Sequence, residues 1–79
     1  MKNYKISLDS VDKVKTFVNA ITRFNADFDL ISGRYIIDAK SIMGIFSLDL
    51  SKPAELQVHC DDSDPELPAI LEAVQPFLL

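Results

Sequence analysis

The chain has 79 residues, of which 48% are hydrophobic and 25% charged, so we expect one folded domain over 1–79 and not a disordered chain. Its formal net charge of −4 argues against nucleic-acid binding, because neutralising phosphates requires a basic face. No apolar run approaches the roughly 20 residues that span a bilayer, and no apolar segment follows the basic start Met1–Lys5, which predicts a cytoplasmic protein without a signal peptide or a membrane partner.

The first two elements are a strand and a helix. Tyr4, Ile6 and Leu8 alternate with polar residues, which predicts a half-buried strand over residues 4–8. Ser10 is a favourable N-cap for the helix that follows and that we expect to end near Arg23. The apolar face of this helix is predicted to consist of Val11, Val14, Phe17, Val18 and Ile21.

A hairpin and a short second helix are expected next. Phe28 and Leu30 predict a strand, and the turn signal Ser32-Gly33 precedes a β-prone run at Tyr35–Ile37, so we expect a hairpin over 27–38. Ser41 is placed to cap a short helix on which apolar residues share one face, namely Ile42, Ile45, Phe46 and Leu48. Gly44 lowers the helix propensity of this segment, so its residues alone do not decide whether it forms a helix.

The last part of the chain predicts a strand and a third helix. Leu56, Val58 and Cys60 alternate with polar residues, which indicates a strand over 55–60. The turn at Asp61–Pro65 starts a helix whose apolar stripe is Leu67, Ile70, Leu71 and Val74, and Pro76 is expected to end or kink it. The resulting order, β-α-β-β-α-β-α with a central hairpin, predicts an α+β fold in which helices pack on one face of the sheet.

One stretch resembles a known family. Lys40-Ser41-Ile42-Met43-Gly44-Ile45-Phe46-Ser47-Leu48 is similar to the second conserved stretch of HPr, the small phosphocarrier of the bacterial sugar phosphotransferase system, and the similarity continues to Leu56. The resemblance implies the open-faced β-sandwich of that family, with a four-stranded antiparallel sheet and three helices on one face.

The chain departs from this family where the phosphoryl group would be carried. In HPr the first strand leads into a Gly-Ile-His-Ala-Arg-Pro loop, whose histidine caps the first helix. Here the segment Leu8–Lys13 has no histidine, arginine or proline, and Ser10 lies at or near the place of the histidine. A serine phosphate ester is too stable to pass its group onward readily, and Asp12 would repel an incoming phosphoryl group. The resemblance therefore implies a divergent member that lacks the active-site histidine.

Three further positions take an interpretation from the resemblance. Ser41 matches the regulatory serine that an ATP-dependent kinase phosphorylates in some bacteria, and the alternative is a plain helix cap. A phosphate there would be favoured by the backbone N–H groups of a helix start. Met43 and Phe46 are candidates for docking onto a protein partner, and core packing is the alternative for Phe46.

His59, the only histidine, falls on the polar face of its strand. We expect a solvated strand residue there, and the alternative is an unusual phosphoryl acceptor. His59 and Cys60 do not form a metal site, because adjacent strand residues point to opposite faces. We expect no metal and no cofactor. Since the chain offers no paired nucleophile and base and no phosphate-cradling glycine loop, it is not predicted to be an enzyme.

Three functions therefore stay open from the sequence. The first is a regulatory or docking module with a signal at Ser41 and with phosphotransferase-system or catabolite-control proteins as partners. The second is a phosphocarrier with a non-standard acceptor, Ser10 or His59. The third is a structural interaction protein that reuses the fold. The sequence does not determine the partner or the oligomeric state.

Overall fold

A computed structural model describes residues 2–79, and within them four strands and three α-helices follow in the predicted order. The strands are β1 (Lys2–Ile6), β2 (Asp27–Ser32), β3 (Tyr35–Asp38) and β4 (Ala54–His59). The helices are α1 (Val11–Thr22), α2 (Ile42–Phe46) and α3 (Leu67–Val74), and a 3₁₀ turn over Gln75–Phe77 follows α3. None of the helices in this range is long and apolar enough to cross a membrane.

The four strands form one antiparallel sheet in the order β1-β4-β2-β3. The last strand therefore inserts between the first two. The first strand begins and ends two residues earlier than predicted, because it extends only as far as β4 pairs with it, from Lys2 opposite Val58 to Ile6 opposite Ala54. Leu8 lies beyond the strand, although its side chain is buried as the alternation predicted.

The core lies between the helices and one face of the sheet. The sheet contributes Ile6, Phe28, Leu30, Leu56 and Val58, and the helices contribute Val14, Phe17, Ile21, Ile45, Leu67, Ile70 and Val74. Within residues 2–79 no polar or charged residue is buried. The other face of the sheet carries the polar residues that alternate with these and is open to solvent, as the open-faced sandwich requires.

The turn between β2 and β3 requires a backbone conformation that glycine adopts readily. Gly33 has a φ of +60° at the first of the two loop positions between β2 and β3, where a tight hairpin turn requires a positive φ.

Val11, which the helical periodicity assigned to the buried face, is instead 54% exposed. It lies in the first turn of α1 directly after the exposed loop residues Asp9 and Ser10.

The C-terminal segment covers the outer edge of β1. α3 passes into the 3₁₀ turn that contains Pro76, and Phe77 packs edge-on against Phe17 with ring centroids 5.3 Å apart. The Ser7 N–H donates to the Phe77 carbonyl at 2.9 Å, and the Leu79 N–H donates to the Lys5 carbonyl at 3.1 Å. Leu78 therefore pairs with the end of β1, and β3 forms the opposite edge of the sheet.

Candidate functional site

Ser10 caps α1, as the sequence predicted. Its backbone is extended, with φ −147° and ψ 158°, and its Oγ accepts a hydrogen bond from the Lys13 N–H at 3.1 Å. The side chain is exposed. A serine hydroxyl thus lies at the helix start, where the backbone donors of the first turn are directed outward.

The charges around Ser10 are mostly negative. Asp9 Oδ1 lies 3.0 Å from Lys13 Nζ, and this hydrogen bond and charge lower the pKa of the Asp9 carboxyl below its usual value. Asp12 adds a second exposed carboxylate in the first turn of α1. The ammonium group nearest to Ser10 in the sequence is therefore already paired with a carboxylate, and an incoming phosphoryl group would meet two negative charges.

Replacement of Ser10 by alanine is expected to lower the free energy of unfolding by about 1 kcal/mol, because the Lys13 N–H loses its cap. Urea denaturation followed by circular dichroism measures this. Ser10→Gly is the matched control, since glycine at an N-cap costs only a few tenths of a kcal/mol relative to serine. A Ser10→Ala variant that is as stable as the wild type would mean that the hydroxyl does not act as a cap.

Ser41 begins α2 in a similar way. Its Oγ accepts from the Gly44 N–H at 3.2 Å, and its side chain is exposed. A Cβ on residue 44 would lie 3.2 Å from the Ser41 Oγ and 3.5 Å from the Ile37 Cδ1. The glycine that weakens the helix propensity therefore leaves room for the hydroxyl that caps the helix.

α2 is a five-residue helix, and Ile45 attaches it to the core. Ile45 is fully buried, whereas Met43 is 77% and Phe46 39% exposed. Ile42 and Leu48 are half-buried and pack against the core. Met43 and Phe46, the two residues predicted to dock onto a partner, thus lie outside the core. Their contact with a partner stays a prediction.

α1 and α2 pack against each other, and each leaves apolar side chains exposed to solvent. α1 starts beyond Ile6, at the end of the sheet where the β2–β3 hairpin turns. α2 runs toward the same end, because a groove there is lined by the hairpin residues 32–35 together with Ser47, Leu48, Asp49 and Lys52. We call Val11, Met43 and Phe46 the docking surface. The sequence missed Val11, since its spacing is that of a core residue.

Lys40 holds the segment that precedes α2, and the sequence did not single it out. Its Nζ donates to the Phe24 carbonyl at 2.7 Å and lies 5.5 Å from the centre of the Phe28 ring. Its backbone N–H donates to Asp38 Oδ1 at 2.9 Å. These contacts fix the position of the chain immediately before Ser41, and residues 16 apart in sequence give no local signal for them.

His59 lies on the open face of the sheet, as predicted, and contacts a carboxylate. Its Nε2 is 2.7 Å from Asp29 Oδ2, in a cleft of about 310 Å³ lined also by Asp27, Phe28 and Asp38. Among residues 2–79 no group of three or more histidine, cysteine or carboxylate side chains is arranged to hold a metal ion.

The structure does not bring His59 and Ser10 together. His59 is at the end of β4 beside Asp27, whereas Ser10 follows the opposite end of β1 and belongs to the helix layer. A phosphoryl group approaching His59 would meet three aspartates and a ring nitrogen already bound to one of them.

Comparisons with known proteins agree with this geometry. The family model described as PTS HPr component phosphorylation site matches residues 13–78, a stretch that begins just after Ser10. HPr-C-His from Thermoanaerobacter tengcongensis is 24% identical, with a TM-score of 0.72 over 95% of this chain and 92% of that one. The phosphocarrier protein HPr from Bacillus anthracis is 26% identical, with a TM-score of 0.64 over 91% and 92%. A Mycoplasma histidine-containing phosphocarrier protein is 15% identical, with a TM-score of 0.67 over 95% and 91%.

Proposed function

The chain belongs to the HPr family, and on that premise we propose that it is a regulatory or docking module that does not carry a phosphoryl group on histidine. HPr-family proteins are phosphocarriers and not enzymes, and they interact with proteins of the phosphotransferase system. The observation that carries the proposal is the identity of the α1 cap, because the cap is a serine, Ser10, at or near the place that the resemblance implies for the family histidine.

The charges beside that cap support the loss of phosphoryl relay. A relay needs an acceptor with a reactive phosphorylated form, and phosphoserine is a stable ester. The carboxylates of Asp9 and Asp12 flank the hydroxyl. The chain's one histidine, His59, lies on the opposite face of the sheet with its Nε2 engaged by Asp29. Neither Ser10 nor His59 therefore has the surroundings of an ordinary phosphoryl-carrying residue.

Ser41 is the position at which we place regulation. Its hydroxyl is exposed, and the main-chain N–H of Gly44 already points at it. A phosphate there would bring about −1.5 to −2 charges close to Met43 and Phe46. Modification of Ser41 would therefore change the charge of the docking surface without a change of fold.

The partner is proposed to be a protein of the phosphotransferase system or of catabolite control with an apolar, basic-rimmed surface. Val11, Met43 and Phe46 supply exposed apolar area. The net charge of −4 favours a basic rim on the partner, since complementary charge guides association.

Intact-mass measurement after two parallel incubations tests this proposal. Enzyme I with phosphoenolpyruvate is expected to leave the mass unchanged, whereas HPr kinase with ATP is expected to add one phosphoryl group. Ser41→Ala should abolish the addition. The matched control is Ser47→Ala at the other end of α2, which removes a second exposed serine and should be phosphorylated like the wild type.

The other outcomes point to the alternative functions. Modification by Enzyme I would contradict the proposal and favour a phosphocarrier that uses Ser10 or His59. The absence of modification in both incubations would contradict the regulatory role of Ser41 and favour a structural interaction protein.

A further inference from the structure

Two turns border the groove that the β2–β3 hairpin forms with the end of α2. The groove has a volume of about 290 Å³ and is lined by residues 32–35 of the hairpin and by residues 47–49 and Lys52. The hairpin turn is fixed by Gly33, whose positive φ closes it in two residues. Pockets for small molecules begin at roughly 300 Å³, so the groove suits a small ligand.

The turn after α2 is fixed by the side chain of Asp49. Its Oδ1 accepts from the Ser51 N–H at 3.1 Å and from the Ser51 Oγ at 2.6 Å, and the Lys52 N–H donates to the Asp49 carbonyl at 3.3 Å. The hydrogen bonds from Ser51 lower the pKa of the Asp49 carboxyl below its usual value. The carboxylate therefore holds the turn that carries Lys52.

Each turn brings one cation to the groove, Arg34 from the hairpin and Lys52 from the turn after α2. Both side chains are exposed, and within residues 2–79 neither forms an ion pair or donates a side-chain hydrogen bond. By contrast, Lys13 is paired with a carboxylate, and Lys40 donates to a backbone carbonyl. The groove thus brings together two cations that have no partner in this part of the chain, although the net charge is −4.

An aromatic ring and an aliphatic side chain supply the apolar part of the lining. Tyr35 follows Arg34 directly and is 70% exposed, whereas Leu48 is half-buried and packs against the core. A tyrosine ring with this exposure adds little to the core, and its face is available for stacking against another planar group. The groove therefore combines two unpaired positive charges with an exposed aromatic ring.

We propose that this groove binds a small phosphomonoester that carries one aromatic ring. The phosphate lies between the Arg34 guanidinium and the Lys52 ammonium, and the ring of the ligand stacks on Tyr35. A phosphomonoester carries about −1.5 to −2 charges at pH 7, which matches two cations better than the single charge of a carboxylate does. The planar guanidinium binds such a group through two parallel hydrogen bonds, and the ammonium adds a point charge.

The expected affinity is low for two reasons. The side chains that supply the charges and the aromatic ring are exposed, so water competes for the contacts. The Asp49 carboxylate also lines the groove and repels an anion. For a ligand of about ten non-hydrogen atoms we expect a dissociation constant between about 0.2 and 2 mM.

Amide chemical shifts of the full chain, followed during titration with phenyl phosphate at constant ionic strength, measure the binding. The expected result is a saturable shift change at residues 32–35 and 47–52. Inorganic phosphate and phenol are the matched control ligands, because the first lacks the ring and the second lacks the charge. Each control ligand should bind at least about fivefold more weakly than phenyl phosphate.

Substitutions in the groove separate the contribution of charge from that of the ring. Arg34→Gln and Lys52→Gln should each weaken the binding of phenyl phosphate by about fivefold to twentyfold, because each removes a charge-assisted contact. Tyr35→Thr should weaken it by about threefold to tenfold and leave the affinity for inorganic phosphate unchanged. The control is Lys15→Gln, an exposed α1 substitution with the same change of net charge, which should bind like the wild type. The amide spectrum of each variant shows at the same time whether the fold is kept.

Four results would overturn the inference. Two concern the ligand: no saturable shift change in the groove at concentrations well above the expected dissociation constant, and binding of inorganic phosphate that is as tight as that of phenyl phosphate. Two concern the place: saturable shift changes centred elsewhere, for example at the start of α1, and a loss with Lys15→Gln equal to the loss with Lys52→Gln.

The inference is independent of the proposed function. Ser41 caps the start of α2, whereas the groove is lined by the residues that follow this helix. Ser41→Ala should therefore abolish phosphorylation by the kinase and bind phenyl phosphate like the wild type. A chain that the kinase does not modify can still bind phenyl phosphate, so the two failures are distinguishable.

Discussion

Replacement of Phe17 by alanine is expected to lower the free energy of unfolding by about 3 to 5 kcal/mol. Phe17 is fully buried in the middle of α1, between the sheet and the C-terminal turn. Its ring meets the Phe77 ring at 84° with the centroids 5.3 Å apart, a favourable edge-on geometry. The substitution removes this contact and leaves a cavity that the surrounding strands cannot fill.

A loss of this size is a large part of the total stability, which for a small domain is commonly about 5 kcal/mol or somewhat more. Chemical denaturation of wild type and variant, followed by circular dichroism, measures the difference. Lys15→Ala is the matched control on the exposed face of the same helix and should change the stability by no more than about 0.5 kcal/mol. A loss below about 1 kcal/mol for Phe17→Ala would contradict this packing of the core.

The second large effect is expected at Ile45. It is the one residue of α2 that is fully buried, so Ile45→Ala should lower the free energy of unfolding by about 2 to 4 kcal/mol. Met43→Ala in the same helix removes a 77% exposed side chain and should have an effect within about 0.5 kcal/mol. Urea denaturation of both variants gives the comparison.

The same pair of variants separates anchoring from docking. Loss of the Ile45 anchor should loosen α2 locally and slow phosphorylation of Ser41 under conditions in which the rest of the chain stays folded. Met43→Ala should leave the stability unchanged and weaken only the binding of a protein partner. Equal stabilities of the two variants would mean that α2 is not held by Ile45.

Most of the local structure could be predicted from residues close together in the chain. The alternation of β1 and β4 and the helical spacing of α1 arise because each element exposes one side to solvent and buries the other. The caps at Ser10 and Ser41 are also predictable from the local sequence, because a capping side chain bonds to an N–H only three residues away. The similarity of 40–48 to HPr then identified the family and its fold.

Strand boundaries and the strand order could not be read in this way. β1 ends at Ile6 because β4 begins opposite it at Ala54, and that partner is almost fifty residues further along the chain. The exposure of Val11 likewise depends on the tertiary packing around the start of α1, so its apolar character and helical spacing gave a wrong prediction of burial.

The sequence by itself thus determined the fold class, the helix caps and the absence of a histidine from the segment Leu8–Lys13, because these depend on short-range patterns. The tertiary structure decided the contacts between distant residues. It pairs His59 with Asp29, and it directs the Glu66 carboxylate to the Asn25 N–H at 3.0 Å. It also makes β3 the last strand at the edge of the sheet opposite β1. No local pattern encodes these contacts, because each depends on the insertion of β4 into the sheet or on the packing of α3 against the loop after α1.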